Sequence, residues 1–275
     1  MRSDNYSESW YDLMHGNINS DVVVMGNSRA IFQVDPAILD SILGSDSYNL
    51  GMDGSPFNRQ SHKYNIYRSL NHKPTLIIQN IDIGTLDRSI GYNRDQFFPY
   101  FWNLLMRKEF LATEPFSFGE KYVPMFRYRG YGFCSFHNAH NSTKGYHAID
   151  RSWDGKAFMQ VDSIMFLKND DTVTQFDEYL ARNKSEGINM IFVYAPLYYG
   201  ATLKTINLDE MHAFYQTYAD KYDIPILDYT YMDLCYDTTF FCNAMHLNRL
   251  GANIYTDSLA NDIIRLGIIN SHISN

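Results

Sequence analysis

The chain has 275 residues, 45% of them apolar and 20% charged. That balance supports a sizeable buried core and excludes a disordered chain or a collagen-like repeat. Lys and Arg number 23 against 31 Asp and Glu, a formal net charge of −8, which argues against non-specific nucleic-acid binding because that needs clustered cations to displace counterions. No apolar stretch approaches the roughly 20 residues of a membrane helix; the longest, Met190 to Tyr199, is interrupted by Pro196. Met1 to Trp10 is polar and lacks the apolar region of a signal peptide, so the chain is either cytoplasmic or has its membrane-targeting segment outside this sequence. Three cysteines, Cys134, Cys235 and Cys242, are too few for a disulfide framework. The anomaly is aromatic content: 22 Tyr, 18 Phe and 3 Trp, or 16%.

In chain order, Asp21 to Met25 is a continuous apolar, β-branched run ended by Gly26, which predicts a buried strand. Asp35-Pro36 opens a helix with an N-cap and a proline at the first helical position, and Gly44 closes it. Tyr48 to Leu50 is a second short strand. Ser55-Pro56 opens another helix carrying Phe57, Tyr64, Tyr67 and Leu70 along one side, and Thr75 to Asp82 is a third strand. The alternation then breaks. From about Gly84 to about Asp170 no period is visible, and 14 of the 40 residues from Phe97 to Phe136 are aromatic. The rhythm resumes with a helix over Asp171 to Arg182, a strand over Ile188 to Ala195, a helix over Leu208 to Lys221, a strand over Ile224 to Leu227 and a last helix over Asn248 to Leu266. Residues 84–170 therefore read as an insertion within a single domain. Five apolar strands alternating with helices predict an α/β fold, a parallel sheet covered on both faces and doubly wound by right-handed crossovers. Ligands on such a sheet bind outside the carboxyl ends of the strands.

The chemistry-bearing residues stand after those strands. Gly26-Asn27-Ser28-Arg29 follows the first strand, Gly51 the second, and Asn80 ends the third. Asn243-Ala-Met-His246-Leu-Asn-Arg-Leu-Gly251-Ala252 precedes the last helix. A serine on a tight turn is a weak nucleophile that needs a base and an oxyanion site, and His246 can return to the same edge. Each residue alone has a bland reading, as a turn serine, a loop glycine, a structural amide or a structural imidazole. Their order along the loops is what sets them apart.

This arrangement resembles the SGNH (GDSL-like) hydrolase superfamily. Gly26-Asn27-Ser28-Arg29 is similar to the nucleophile block, Gly51 to the second-block glycine, Asn80 to the third-block asparagine, and His246-Leu247-Asn248 through Gly251-Ala252 to the final block. The resemblance implies a three-layer flavodoxin-like sandwich with strand order 2-1-3-4-5. It implies a serine esterase or O-acyltransferase acting on an acylated cell-envelope saccharide, without cofactor or metal. Ser28 would be the nucleophile and His246 its base, with the oxyanion held by Ser28, Gly51 and Asn80. It also implies kinship with bacterial envelope proteins related to the alginate acetylation proteins, placed outside the cytoplasm behind an N-terminal anchor. Asn27, Arg29, Arg127, Arg129 and Tyr146 are candidate substrate contacts, the last three, with Lys144, on an aromatic loop suited to sugar rings.

One position departs from the pattern. The family has Asp three residues before the histidine, and here that residue is Asn243. Asn can orient an imidazole but supplies no charge to the imidazolium. Three outcomes follow: a Ser–His pair supported by Asn243, another acid (Asp82, Asp228 or Asp237) in its place, or a non-catalytic polysaccharide-binding or assembly protein on the same scaffold. A rival constellation, Cys134, His137, His140 and His147, has ligand types that suit zinc but matches no standard spacing.

Overall fold

The computed structural model describes residues 7–87, 100, 102–110, 116–123, 126, 142–156 and 163–269. The elements in chain order are α1 (Ser7–His15), β1 (Val22–Met25), α2 (Ser28–Gln33), α3 (Pro36–Leu43), β2 (Ser47–Asn49), α4 (Phe57–Leu70), β3 (Leu76–Asn80), α5 (Leu104–Phe110), α6 (Phe118–Tyr122), β4 (Ser142–Thr143), β5 (Tyr146–His147), α7 (Asp170–Ser185), β6 (Asn189–Tyr194), α8 (Tyr199–Leu203), α9 (Leu208–Tyr222), β7 (Ile226–Asp228), β8 (Phe241–Asn243), β9 (His246–Leu247) and α10 (Arg249–Arg265). Five strands form one sheet in the order β2-β1-β3-β6-β7, every neighbouring pair parallel. This is the predicted doubly wound sheet. Among the described residues no helix is long and apolar enough to cross a membrane.

Strand alternation divides the core into two layers. Val23, Met25, Ile77 and Phe192 face Trp10 of α1, Tyr64 of α4, Phe176 of α7 and Tyr215 of α9. Val22, Val24, Ile78 and Val193 face Leu39 of α3 and Tyr255 and Leu259 of α10. The first layer is where much of the aromatic excess goes. Phe57 meets Phe176 edge-on at 4.9 Å, Tyr64 meets Tyr179 at 5.1 Å, and Phe192 stacks on Phe176 at 5.8 Å. Large flat rings fill the space between strand and helix with few rotatable bonds to freeze.

Local signals explain the element ends. Asp35 caps α3 by accepting the Ala37 N–H at 2.9 Å, and Gly44 ends it in the left-handed region at φ 65°. Asn248 caps α10 by accepting the Gly251 N–H at 3.1 Å. The sequence reading missed α1, α2, α5, α6, α8 and the β4–β5 and β8–β9 hairpins, which are short or polar. Their stability comes from tertiary packing more than from local propensity.

One buried side chain ties the site's two loops together. Asn49, at the end of β2, donates to the carbonyls of Ala30 and Val34, both at 2.8 Å, and its Oδ1 accepts the Gly51 N–H at 2.9 Å. The Ala30 carbonyl also accepts the Val34 N–H at 3.2 Å, so Asn49 is its second donor, whereas Val34 is the C-cap of α2 and its carbonyl lies past the last helical turn. Asn49→Ala strands the Val34 carbonyl and the Gly51 N–H inside the protein and takes one of two donors from Ala30, each stranded group a desolvation cost of roughly 1–3 kcal/mol before relaxation. Urea unfolding should show a loss of about 3 kcal/mol, and a loss below about 1 kcal/mol would refute the clamp.

Parts of the 84–170 segment return to the sheet's carboxyl edge. In the β4–β5 hairpin, Lys144 accepts the Asn49 N–H through its carbonyl at 2.9 Å. Further on, Ile149 accepts the Arg249 N–H at 2.8 Å and the Trp153 N–H reaches Phe241 at 3.0 Å. Residues 144–153 thus run from β2 to the β8–β9 hairpin. Residues 127–141, at the centre of the segment, lie outside the described residues; of the aromatic run over 97–136, residues 100, 102–110, 116–123 and 126 are described, and Phe110 and Phe116 are buried in the first core layer.

Candidate active site

Ser28 is the first residue of α2, directly after β1. Asn27 caps that helix, its Oδ1 accepting the Arg29 N–H at 3.0 Å. Gly26 sits at φ 151°, where a Cβ would stand 2.7 Å from the Asn80 Cβ and 2.8 Å from the Ala30 Cβ. Only glycine lets the turn close this tightly against the end of β3. The histidine arrives from the other side of the sheet. After β7 the chain makes two 3₁₀ turns and the β8–β9 hairpin, in which Asn243 and His246 face each other across the strands.

These routes bring three sequence-predicted residues into one chain of hydrogen bonds. His246 Nε2 lies 2.8 Å from Ser28 Oγ, and His246 Nδ1 lies 3.1 Å from Asn243 Oδ1. Asn243 Oδ1 also accepts the Met245 N–H at 2.9 Å. A backbone N–H can only donate, so the Asn243 atom facing it is the carbonyl oxygen, and the same oxygen accepts a hydrogen bond from Nδ1–H. Nε2 is then left bare to accept the serine hydroxyl, the tautomer a general base needs. Phe32 meets the ring edge-on at 5.5 Å and limits its tilt. Burial, and then the nearby Arg29 cation, push the His246 pKa down to about 4, while Asp82 acts in the opposite direction. His246 is therefore neutral at pH 7.

Among the described residues no carboxylate bonds to His246. Asp228 accepts the Thr230 N–H at 2.8 Å and Asp237 accepts the Thr239 N–H at 2.9 Å. Asp82, at 1% exposure, is a structural hub. Its Oδ1 accepts the Gly84 N–H at 2.7 Å and the Thr85 hydroxyl at 3.1 Å. Its Oδ2 accepts the Asn27 side-chain amide and pairs with Arg29 at 2.8 Å. Asn27 and Arg29, read as substrate contacts, are thus both turned to Asp82. The sequence reading considered Asp82 only as a spare acid. The signal that could have found the hub is a lone carboxylate at the end of β3, level with a cation one residue past the serine.

The oxyanion donors are arranged differently from expectation. Among the described residues the Ser28 N–H donates to no other group. The Gly51 N–H is committed to Asn49 Oδ1, so Gly51 does not present a free donor. What requires glycine there is space: a Cβ would stand 2.7 Å from the Ile31 N, one turn along α2. The Asn80 amide donates one N–H to the Val193 carbonyl at 3.1 Å, leaving its second. Tyr146 is buried in the core beside α10 and cannot stack on a sugar. Lys144 spends its charge on Asp46 and on Asp40, the latter at 2.6 Å. Arg127, Arg129, Cys134, His137 and His140 lie outside the described residues. Cys235 and Cys242 are buried free thiols. Among the described residues no group of three or more His, Cys, Asp or Glu could hold a metal ion.

Fold and site together define a doubly wound α/β protein with a serine–histidine pair at the carboxyl edge of its sheet. Neither a family model nor a curated protein sequence matches the chain. Solved structures do. A Desulfitobacterium hafniense protein assigned to the lipolytic G-D-S-L family has a TM-score of 0.48 at 12% identity, over 88% of this chain and 99% of that one. A Bacteroides fragilis protein assigned as an acylhydrolase has a TM-score of 0.47 at 12% identity, over 96% and 95%. A Streptococcus pneumoniae protein described as a platelet activating factor has a TM-score of 0.46 at 8% identity, over 94% and 90%.

Proposed function

We propose that the protein is a serine esterase or O-acyltransferase whose substrate is an acylated saccharide of the cell envelope. The observation that carries this reading is the 2.8 Å contact between Ser28 Oγ and a His246 Nε2 that Asn243 holds as an acceptor. Ser28 Oγ attacks the acyl carbonyl, its proton passes to Nε2, and the carbonyl oxygen becomes an oxyanion facing the Ser28 N–H and the second Asn80 N–H. Collapse expels the alcohol, which takes the proton from Nε2 and leaves an acyl-serine. Water or a second sugar hydroxyl then resolves the acyl-serine by the same steps in reverse. No step requires a cofactor. The saccharide, and a location outside the cytoplasm behind an N-terminal anchor, rest on the sequence resemblance.

Two features favour a second reading, a polysaccharide-binding or assembly protein that does no chemistry: the uncharged Asn243 and the occupied Gly51 N–H. Labelling with a fluorophosphonate probe separates the two. The enzyme reading expects a covalent adduct on Ser28 and hydrolysis of phenyl acetate, with Ser28→Ala losing both and at least about 10³ in rate. No adduct and no turnover from the intact chain would replace it with the binding reading.

A further inference from the structure

A small, partly open pocket of about 20 Å³ lies at the carboxyl ends of β3 and β6, lined by Arg29 and Met245, each next in sequence to a member of the Ser28–His246 pair. Tyr194, Thr202, Leu208 and the Asp82 carboxylate also line it. Two of its lining hydroxyls lack partners, and a lining guanidinium has donors to spare. Arg29 is 6% exposed and pairs with Asp82 through one nitrogen at 2.8 Å, and among the described residues its other side-chain N–H groups meet no acceptor. The hydroxyl oxygens of Tyr194 and Thr202, residues 6% and 4% exposed, are buried with no hydrogen-bond partner. Buried polar groups are ordinarily paired, so two unpaired hydroxyls beside a guanidinium with donors to spare, all lining one cavity, is a pattern that calls for an occupant. Guanidinium N–H groups can only donate, and both hydroxyls can donate as well. The occupant must bring acceptor oxygens. The volume exceeds the ~10–15 Å³ a single water needs but admits only a few atoms.

We infer that this pocket receives a carboxylate carried by the substrate, with Arg29, Tyr194 and Thr202 as its donors. The inference rests on the esterase reading of Ser28 for its context, although carboxylate binding itself does not depend on catalysis. The carboxylate belongs either to the far end of the acyl group or to the alcohol. Its recognition fits the neighbours: the Asp82 charge is already shared among Asn27, Gly84, Thr85 and Arg29, so it leaves the remaining Arg29 donors facing the cavity. A neutral acyl chain would leave both hydroxyls and the spare Arg29 donors unmet, and a site built to hydrogen-bond its ligand discriminates strongly against one that cannot.

Turnover and binding test this separately. Phenyl acetate, phenyl hemisuccinate and 3-carboxyphenyl acetate differ in having no carboxylate, one on the acyl side and one on the alcohol side. One of the two carboxylated esters should exceed phenyl acetate in kcat/KM by about tenfold or more, the scale of hydrogen bonds to a charged group, and which one it is assigns the side. Thr202→Val and Tyr194→Phe should each bring that ratio back towards one. In the Ser28→Ala protein, monomethyl succinate or 3-acetoxybenzoate should bind more tightly than methyl butyrate, and adding Thr202→Val should shrink the difference. If no ester is turned over but this Thr202-dependent binding is found, the catalytic reading fails and the pocket assignment stands. If neither carboxylated ester is preferred and neither carboxylate binds better than methyl butyrate, the pocket holds a structural water and the inference is overturned.

Discussion

Asn243→Asp should raise kcat on phenyl acetate by at least tenfold, with a ceiling near 10⁴, the cost of neutralising the acid of a serine protease triad. The geometry for the gain is already in place. Asn243 Oδ1 sits 3.1 Å from His246 Nδ1 and is locked there by the Met245 N–H, so an isosteric carboxylate inherits the same position. What changes is charge. The imidazolium formed during attack lies beside Arg29 in a partly buried site, and both features hold the His246 pKa down to about 4. A base so weak takes a proton from serine reluctantly. The pH dependence carries the sign. His246 must be neutral to act, so wild-type kcat/KM should rise through about pH 4 and level off above it. A carboxylate at position 243 stabilises the protonated ring, raises its pKa and moves that limb to higher pH while the plateau climbs. An unchanged plateau and limb in Asn243→Asp would mean that the charge is supplied elsewhere or that proton transfer does not limit the rate.

Asp82→Ala should destabilise the fold by about 3–5 kcal/mol, the range for breaking a buried ion pair by removing one partner. The loss has several sources. Arg29 is left as a buried cation with no counter-charge, and Gly84 N–H, Thr85 and the Asn27 amide lose their acceptor. The Asn27 cap then loosens, and with it the first turn of α2 that carries Ser28. Adding Arg29→Met to Asp82→Ala removes the orphaned cation and should restore a substantial part of the loss, because replacing both members of a buried pair is far milder than removing one. Urea unfolding of the two single variants and the double gives the coupling directly. A single-variant loss below about 1 kcal/mol, or a double no more stable than Asp82→Ala, would show that the pair is not the hub described. Wherever Asp82→Ala remains folded, the Arg29 charge acts on His246 unopposed, so the acid limb of activity should move to lower pH.

Much of this molecule was determined by its sequence alone. The apolar runs at Asp21 to Met25, Thr75 to Asp82 and Ile188 to Ala195, separated by capped helices, dictate a parallel doubly wound sheet, because only burial on both faces accommodates strands without polar alternation. That topology sends Ser28 and His246 to one edge, and the substitution at Asn243 is legible in the same residues. Tertiary structure alone decided the rest. Whether Gly51 offers its N–H depended on Asn49, two residues earlier and turned inward. How much of Arg29 was tied to the protein depended on Asp82, 53 positions away in the chain and adjacent only once β1 pairs with β3. The fate of Tyr146 was set by a two-residue hairpin that no periodicity announces, and the orientation of the Asn243 amide by one backbone N–H. The physical reason is common to these cases. Strand burial is a summed property of many residues and survives local error, whereas a hydrogen bond depends on a distance of about 3 Å between particular atoms, and the chain's path through space sets that distance.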